Sequence, residues 1–336
     1  MLDLDGSEGG GQLLRTALSL SAVETTPFRM TGVRGSRPEP GLKPQHLTAV
    51  ETMAAVTDAE VTGAELGSEE LTFEPGPPTG GDYEADVGTA GSVTLLFDAL
   101  LPVSVAVEAP LAVRARGGTD VQWSPPLDYA RRVKLPLLRR HGIHAVVDPR
   151  RRGFYPAGGG DATLRLVPSS PSSPSLTDRA PLAGARVYSV ASAGLADDDV
   201  AERQASEAAR LLSADGVDVV RRSAAYATAD SPGSALVVRL DYSGGVAGFD
   251  ALGEPGKPAE TVAVEAVEQA LSFREGSGAV DDHLADQLLP LLALAGGEVA
   301  APRVTDHVHT SLEIVRAFGH DVALDSRADG GTVLRG

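Results

Sequence analysis

The chain has 336 residues, 42% of them hydrophobic and 22% charged, with a formal net charge of -17. That length and mix suit a globular protein of two or three domains and exclude a disordered one. The absence of cysteine excludes disulfides, thiolate zinc sites and cysteine nucleophiles. No apolar run reaches the roughly 20 residues of a membrane helix.

In chain order, residues 9–20 predict a strongly apolar helix opened by small residues. Residues 45–56 predict a second helix, leading through a Thr-Asp turn to a short strand at 59–61. The same two kinds of segment return twice. Residues 89–101 are followed by a helix at 127–141 and a strand at 143–147, and residues 284–294 by a helix at 310–318 and a strand at 322–324. The pattern implies three copies of one α/β unit, whose apolar helices must be sandwiched between other layers. Residues 168–181, PSSPSSPSLTDRAP, have the composition of an exposed linker. After it come a strand at 185–191, an amphipathic helix at 200–213, strands at 217–221 and 235–242, and a helix at 258–272, the rhythm of a small inserted domain. The expected fold is α/β (α+β), with a large three-unit domain from 1–180 and 276–336 and a small α/β domain at 181–275.

Several loops carry chemistry. In DGSEGGGQLLR, glycines at a helix mouth let backbone N–H groups approach an anion. Glu8 there can hold a divalent metal and Arg15 can pair with a phosphate; a solvated glutamate in a glycine-rich connection is the plain alternative. In VRGSRPEPGLKPQH, Arg34 and Arg37 sit in a proline-stiffened loop ahead of Gln45 and His46, an arrangement suited to phosphate oxygens or else an ordinary charged surface loop. The loop at 86–95 either binds an anion or packs closely between units. Residues 153–160 offer the same two readings, with a tight turn between strands the expected one. Arg131, Arg132, Arg139 and Arg140 suggest a solvated helix face, and Arg150–Arg152 a nucleic-acid contact. In DHVHT, His307 or His309 can be a nucleophile, the two can bind metal together, or either can be a solvent-exposed capping histidine.

Taken together, the runs GGGQLLRTALSLS, VRGSRPEPGLKPQHLTAV, ADVGTAGSVTLLFDALLP, GGTDVQWSPPLDYARRV, RRGFYPAGGG, HLADQLLPLLALAGG and RVTDHVHTSLEIVRAFG resemble the RNA 3'-terminal phosphate cyclase family, in its order and over residues 5 to 318. The resemblance implies three repeats like the C-terminal domain of translation initiation factor 3, plus a small inserted domain. It implies ATP-dependent closure of an RNA 3'-terminal phosphate into a 2',3'-cyclic phosphate, through an enzyme-histidine-AMP intermediate and with help from Mg2+ or Mn2+. The partner is then RNA with a 3'-terminal phosphate. By position in the H-x-x-T motif, His307 matches the adenylylated histidine. Glu8 matches a metal-binding glutamate, and Arg15, Arg34, Arg37, Gln45 and His46 the phosphate-handling set. His283, Leu284, Ala285, Asp286 and Gln287 match the ATP-binding segment, with Pro125 against the base.

Three departures stand out. The loop before Glu8 is shortened, His283 replaces a common tyrosine, and Asp98 replaces a frequent glutamine that touches the nucleotide. The rivals are a non-catalytic relative acting in ribosome assembly and an enolpyruvyl transferase of similar repeat architecture. Lys43, Lys134 and Lys257 are the only lysines, so nearly all positive charge is arginine. That balance suits adaptation to high intracellular salt, although a high-GC genome accounts for the arginine and alanine. The acidic, glycine-rich N-terminus is unlike a secretion signal, so a cytoplasmic protein is expected.

Overall fold

The structure is a computed structural model that describes residues 1–88 and 91–336. Thr89 and Ala90, in the small-residue loop singled out above, lie outside the described residues. The described residues form four sheets of four strands with helices between them, a mixed α/β protein.

The first sheet takes β1 (Leu2–Asp5), then after α1 (Gly11–Glu24) β2 (Phe28–Thr31), and after α2 (Pro44–Thr57) β3 (Glu60–Thr62) and β4 (Leu71–Glu74). Its order is β1-β2-β4-β3; β1 and β2 run parallel and the other pairs antiparallel. The second sheet starts at β5 (Gly81–Asp86), followed by α3 (Val93–Leu100) and β6 (Leu111–Gly117). Next come α4 (Leu127–Tyr129), a π-helical turn at Ala130–Lys134 and α5 (Leu135–Arg140), then β7 (Ala145–Arg151) and β8 (Gly160–Leu166). The order β5-β6-β8-β7 and the pairing directions match those of the first sheet.

Residues 168–181 are largely exposed, as expected of a linker, but they are not wholly irregular. They contain β9 (Ser175–Leu176), and Leu176 is buried because β9 pairs in parallel with a strand far along the chain. Pairing and burial there override the proline- and serine-rich composition. The chain then builds a sheet from β10 (Leu182–Ser192), β11 (Val219–Ala227), β12 (Ser234–Tyr242) and β13 (Gly245–Gly253), in the order β11-β10-β12-β13. Helix α6 (Val200–Ala214) follows β10 and α7 (Ala259–Glu275) follows β13. Ala201, Ala205, Ala208 and Leu212 form the buried stripe of α6, at the spacing of an amphipathic helix. The last segments are α8 (Asp282–Ala295), β14 (Glu298–Ala301), α9 (Asp306–Ala317), β15 (Ala323–Ser326) and β16 (Thr332–Arg335). They close the sheet β15-β16-β14-β9.

The hydrophobic interior has two main parts. One runs through the first, second and last sheets, with α1 at its centre against α2, α3, α8 and α9. Leu14, Leu18 and Leu20 of α1 are fully buried, as a helix apolar on most sides requires. The other lies between the β10–β13 sheet and helices α6 and α7.

The two parts meet at a polar joint. Asp281, the N-cap of α8, accepts the Tyr129 hydroxyl at 2.7 Å and the Leu284 N–H at 2.9 Å on one oxygen, and the Gly248 N–H of β13 at 2.9 Å on the other. Arg132 adds to the joint with its guanidinium 5.1 Å from the centre of the Tyr188 ring. Arg131 donates to the Val147 carbonyl and to Asp128, so the helix face expected to be solvated is so only at Arg139 and Arg140.

Candidate active site

A cleft of about 730 Å3 opens where the starts of α1, α2 and α9 meet α8, α3, the loop at 123–125 and β13. Gly10, the N-cap of α1, offers no side-chain cap, so the N–H groups of the first helical turn lack a partner from it and are suited to an anion. Close approach leaves no room for a side chain at Gly11 and little at Gly10. A Cβ on Gly11 would sit 2.0 Å from His46 Nε2, and one on Gly10 3.0 Å from Arg37 Nη2.

Around this helix start the structure brings together Arg15, Arg34, Arg37, Gln45 and His46. Burial draws the Arg15 guanidinium down to about 10, with Asp98 opposing the shift, so it stays cationic at neutral pH. Asp98 pairs with Lys134 at 2.6 Å, so this carboxylate has a protein partner of its own. Burial also lowers the Lys134 ammonium. His46 is buried, and its Nδ1 accepts the Lys43 N–H at 3.2 Å, which places the ring proton of the neutral imidazole on Nε2. Desolvation, reinforced by Arg15, Arg34 and Lys43, draws His46 down to about 3. It is therefore a neutral donor aimed at the cleft. Gln45 Oε1 accepts the Ser92 N–H at 3.4 Å, and its amide nitrogen lies 3.4 Å from His46 Nε2, which sets two donors side by side at the cleft wall.

Arg34 and Arg37 divide the work of their loop. Arg34 has a left-handed backbone (φ 58°) and donates to the Glu39 and Gly41 carbonyls at 2.9 and 2.8 Å, holding the proline-rich turn closed. The Arg37 guanidinium has no hydrogen-bond partner among the described residues, and its charge acts on His307 across the cleft.

His307 and His309 are both exposed, but only His307, in the first turn of α9, lines the cleft. Thr305 caps this helix by accepting the Val308 N–H and donates its hydroxyl to Asp286 at 2.8 Å, tying α9 to α8. Burial, then Arg37 and Arg15, lower the His307 imidazole, which favours the neutral ring a nucleophile needs. Burial raises Asp286 to about 6. Gln287 Oε1 is buried and unpartnered at the same wall. His283 and Pro125 also line the cleft, whereas Leu284 and Ala285 belong to the core, since α8 turns them inward. Glu8 is exposed and outside the cleft lining.

The loop that carries Pro125 is held from below. Thr94 donates to the Pro125 carbonyl at 2.8 Å, and Asp120 accepts the Leu127 N–H at 3.2 Å. Arg152 is buried between Asp120 and Asp128, so in place of the nucleic-acid contact expected of it this arginine braces the loop. Arg151 pairs with Asp230, which leaves Arg150 as the exposed member of that run.

Sequence reasoning missed Gln12, Trp123, Tyr129, Lys134 and Asp250, all of which line the cleft. Two of them carried a signal: Lys134 is one of three lysines, and Trp123 is the chain's one tryptophan, 94% exposed. Asp250 carried none. It arrives from β13, more than 200 residues from Arg15.

The family model of the RNA 3'-terminal phosphate cyclase matches residues 6–322. A protein of Halobacterium salinarum named RNA 3'-terminal phosphate cyclase is 48% identical over 98% of both chains. Proteins of the same name from Methanopyrus kandleri and Pyrococcus furiosus are 41% and 39% identical, each over 95% of this chain and 93% of the relative. Among solved structures, an enolpyruvyl transferase from Streptomyces tendae covers 48% of this chain and 31% of its own, with 20% identity and a TM-score of 0.27, too distant to bear on fold or function. On these grounds the chain belongs to the RNA 3'-terminal phosphate cyclase family.

Proposed function

We propose that this cleft closes an RNA 3'-terminal phosphate into a 2',3'-cyclic phosphate at the expense of ATP. The observation that carries the reading is the convergence of a neutral histidine, His307, with Arg15, Arg37 and an uncapped helix start in one cleft. A ring nitrogen of His307 attacks the α-phosphorus of ATP, forming a P–N bond as the bond to diphosphate breaks. An oxygen of the RNA 3'-phosphate then displaces the histidine and takes the AMP. Finally the vicinal 2'-hydroxyl attacks the 3'-phosphorus, AMP leaves, and the hydroxyl proton passes to solvent.

Arg15, Arg37, His46 Nε2–H and the first-turn N–H groups of α1 are donors suited to charge developing on phosphate oxygens. Pro125 and His283 offer flat faces for the base, and Asp286 and Gln287 polar contacts to the nucleotide. Among the described residues no three His, Asp or Glu side chains converge on a metal site. A Mg2+ or Mn2+ ion bound chiefly by nucleotide phosphates needs only one protein carboxylate, and the reading assigns that role to Glu8, exposed in the loop before α1 and two residues from the cleft-lining Gly10. Such an ion would withdraw negative charge from the triphosphate.

The same reading takes the chain as three copies of one unit, like the C-terminal domain of translation initiation factor 3, over 1–180 and 276–336. Residues 181–275 are then an insert within the third copy. The shared order of three sheets and the separate core of the fourth support it. The partner is RNA with a 3'-terminal phosphate and the compartment the cytoplasm. A non-catalytic role in ribosome assembly is not favoured, since a nucleophile placed among phosphate-binding groups has no use there.

The test is incubation with ATP, Mg2+ and a short RNA bearing a 3'-phosphate, followed by phosphatase. Phosphatase-resistant, end-cyclised RNA is expected. ATP-independent product, or none, would overturn the assignment.

A further inference from the structure

The reaction so described leaves one carboxyl of the cleft without a task. Asp250 lines the cleft from β13, and it shares a strand face with Gly248, two residues earlier. That face is clamped. The Gly248 N–H donates to Asp281, and a Cβ on Gly248 would lie 2.7 Å from the Tyr129 ring and 2.6 Å from Val133. The clamp aims Asp250 into the cleft beside Tyr129 and His283. Among the described residues its carboxyl oxygens have no hydrogen-bond partner.

Burial raises the Asp250 carboxyl to about 7, Asp281 and Asp120 add to the shift, and His283 opposes it. With Tyr129, these are the titratable groups that face it. None is an arginine or lysine, so Asp250 stands apart from the phosphate-binding cations, at the end of the cleft left to the base.

We propose that the Asp250 carboxyl reads the edge of the ATP base, donating its O–H to adenine N1 and accepting from the N6 amine. The proposal rests on the adenylylation reading above. A neutral carboxylic acid supplies one donor and one acceptor side by side, the complement of that edge. An ionised carboxylate only accepts: it keeps the N6 contact, loses N1, and instead suits the paired N1–H and N2–H donors of guanine. Because the neutral form is populated below pH 7 or so and lost above it, discrimination in favour of ATP over GTP should be greatest on the acid side.

The experiment is single-turnover labelling of the enzyme with α-labelled ATP and GTP, at about pH 6 and pH 8. The readout is the ratio of the two rates, which a merely structural role would not move. We expect the wild-type ratio to fall as pH rises. Asp250→Ala should cut the ratio about tenfold at the lower pH, the value of one or two hydrogen bonds. Asp250→Asn, whose amide keeps one donor and one acceptor, should hold the ratio and abolish its pH dependence. Label with an unchanged ratio in Asp250→Ala, or an Asp250→Asn protein with the ratio lost, would overturn the proposal and leave the adenylylation reading intact. Absence of label from either nucleotide in the wild type would overturn both. The nearly isosteric asparagine keeps the test decisive should the alanine variant fail to fold.

Discussion

His307 and His46 stand in the same cleft in opposite circumstances. His46 is locked by the Lys43 N–H and held neutral far below neutral pH, so it acts as a fixed donor and does not titrate in the working range. His307 is reactive only when neutral, and burial with Arg37 and Arg15 draws it below its ordinary 6.5. The sign follows. The neutral form is complete above the lowered value, so the rate of labelling by ATP should rise through an acid limb below about pH 6.5 and then stay flat toward pH 8. A limb centred above pH 7 in a single-turnover profile would show that another group governs the step.

The two loop arginines should also separate. Arg37→Ala should leave the melting temperature nearly unchanged, because exposed charges contribute about 0–1 kcal/mol, while slowing cyclisation by roughly 2–4 kcal/mol in barrier terms. Arg34→Ala removes two backbone contacts of a charged donor and should cost about 1–3 kcal/mol of stability as well. Equal melting curves for both variants would contradict that division.

At the scale of elements, the start of α1 is where sequence and site are most tightly joined. Gly11→Ala would ordinarily strengthen a helix by up to about 1 kcal/mol. Here the new Cβ would drive into the His46 ring, and displacement of a site group by about 1 Å can cost a hundredfold in rate. The expected variant is therefore a folded protein with labelling reduced by about that factor, checked by thermal melting beside a rate measurement. An active Gly11→Ala protein would show that His46 is not held where the anion binds.

The same comparison shows what was legible in the chain. The long helices announced themselves through apolar density and spacing, and Arg15, Arg34, Arg37, Gln45, His46, Pro125, His283, Asp286, Gln287 and His307 through their motifs. Strands of four residues such as Leu2–Asp5 and Phe28–Thr31 escaped notice, being too short for alternation to stand out. The brief pairing that recruits Leu176 lay hidden in a proline-serine run for the same reason. Arg131, Arg132 and Arg152 were misjudged because spacing shows which face a charge takes but not whether a carboxylate or ring waits there. Lys134 and Asp250 enter the cleft only through packing between distant segments, which no local pattern encodes.

For the whole molecule, a net charge of -17 on a chain with three lysines means strong self-repulsion in dilute buffer. Screening shortens from about 10 Å at 0.1 M salt to roughly 3 Å at 1 M, which relieves that repulsion. RNA binding weakens with salt in proportion to the phosphates gripped, so a site that holds mainly one terminal phosphate loses little. The melting temperature should therefore climb with KCl, and cyclisation of short RNA should persist above about 1 M. A protein most stable and most active near 0.1 M would contradict the salt adaptation alone.

The central claim concerns one bond, between His307 and AMP. It is tested most directly by incubating the protein with α-labelled ATP and Mg2+ and mapping the labelled peptide by mass spectrometry. We predict an acid-labile, alkali-stable adduct on His307, absent from His307→Ala and retained in His309→Ala. An AMP adduct on any other residue, or undiminished labelling of His307→Ala, would contradict the account.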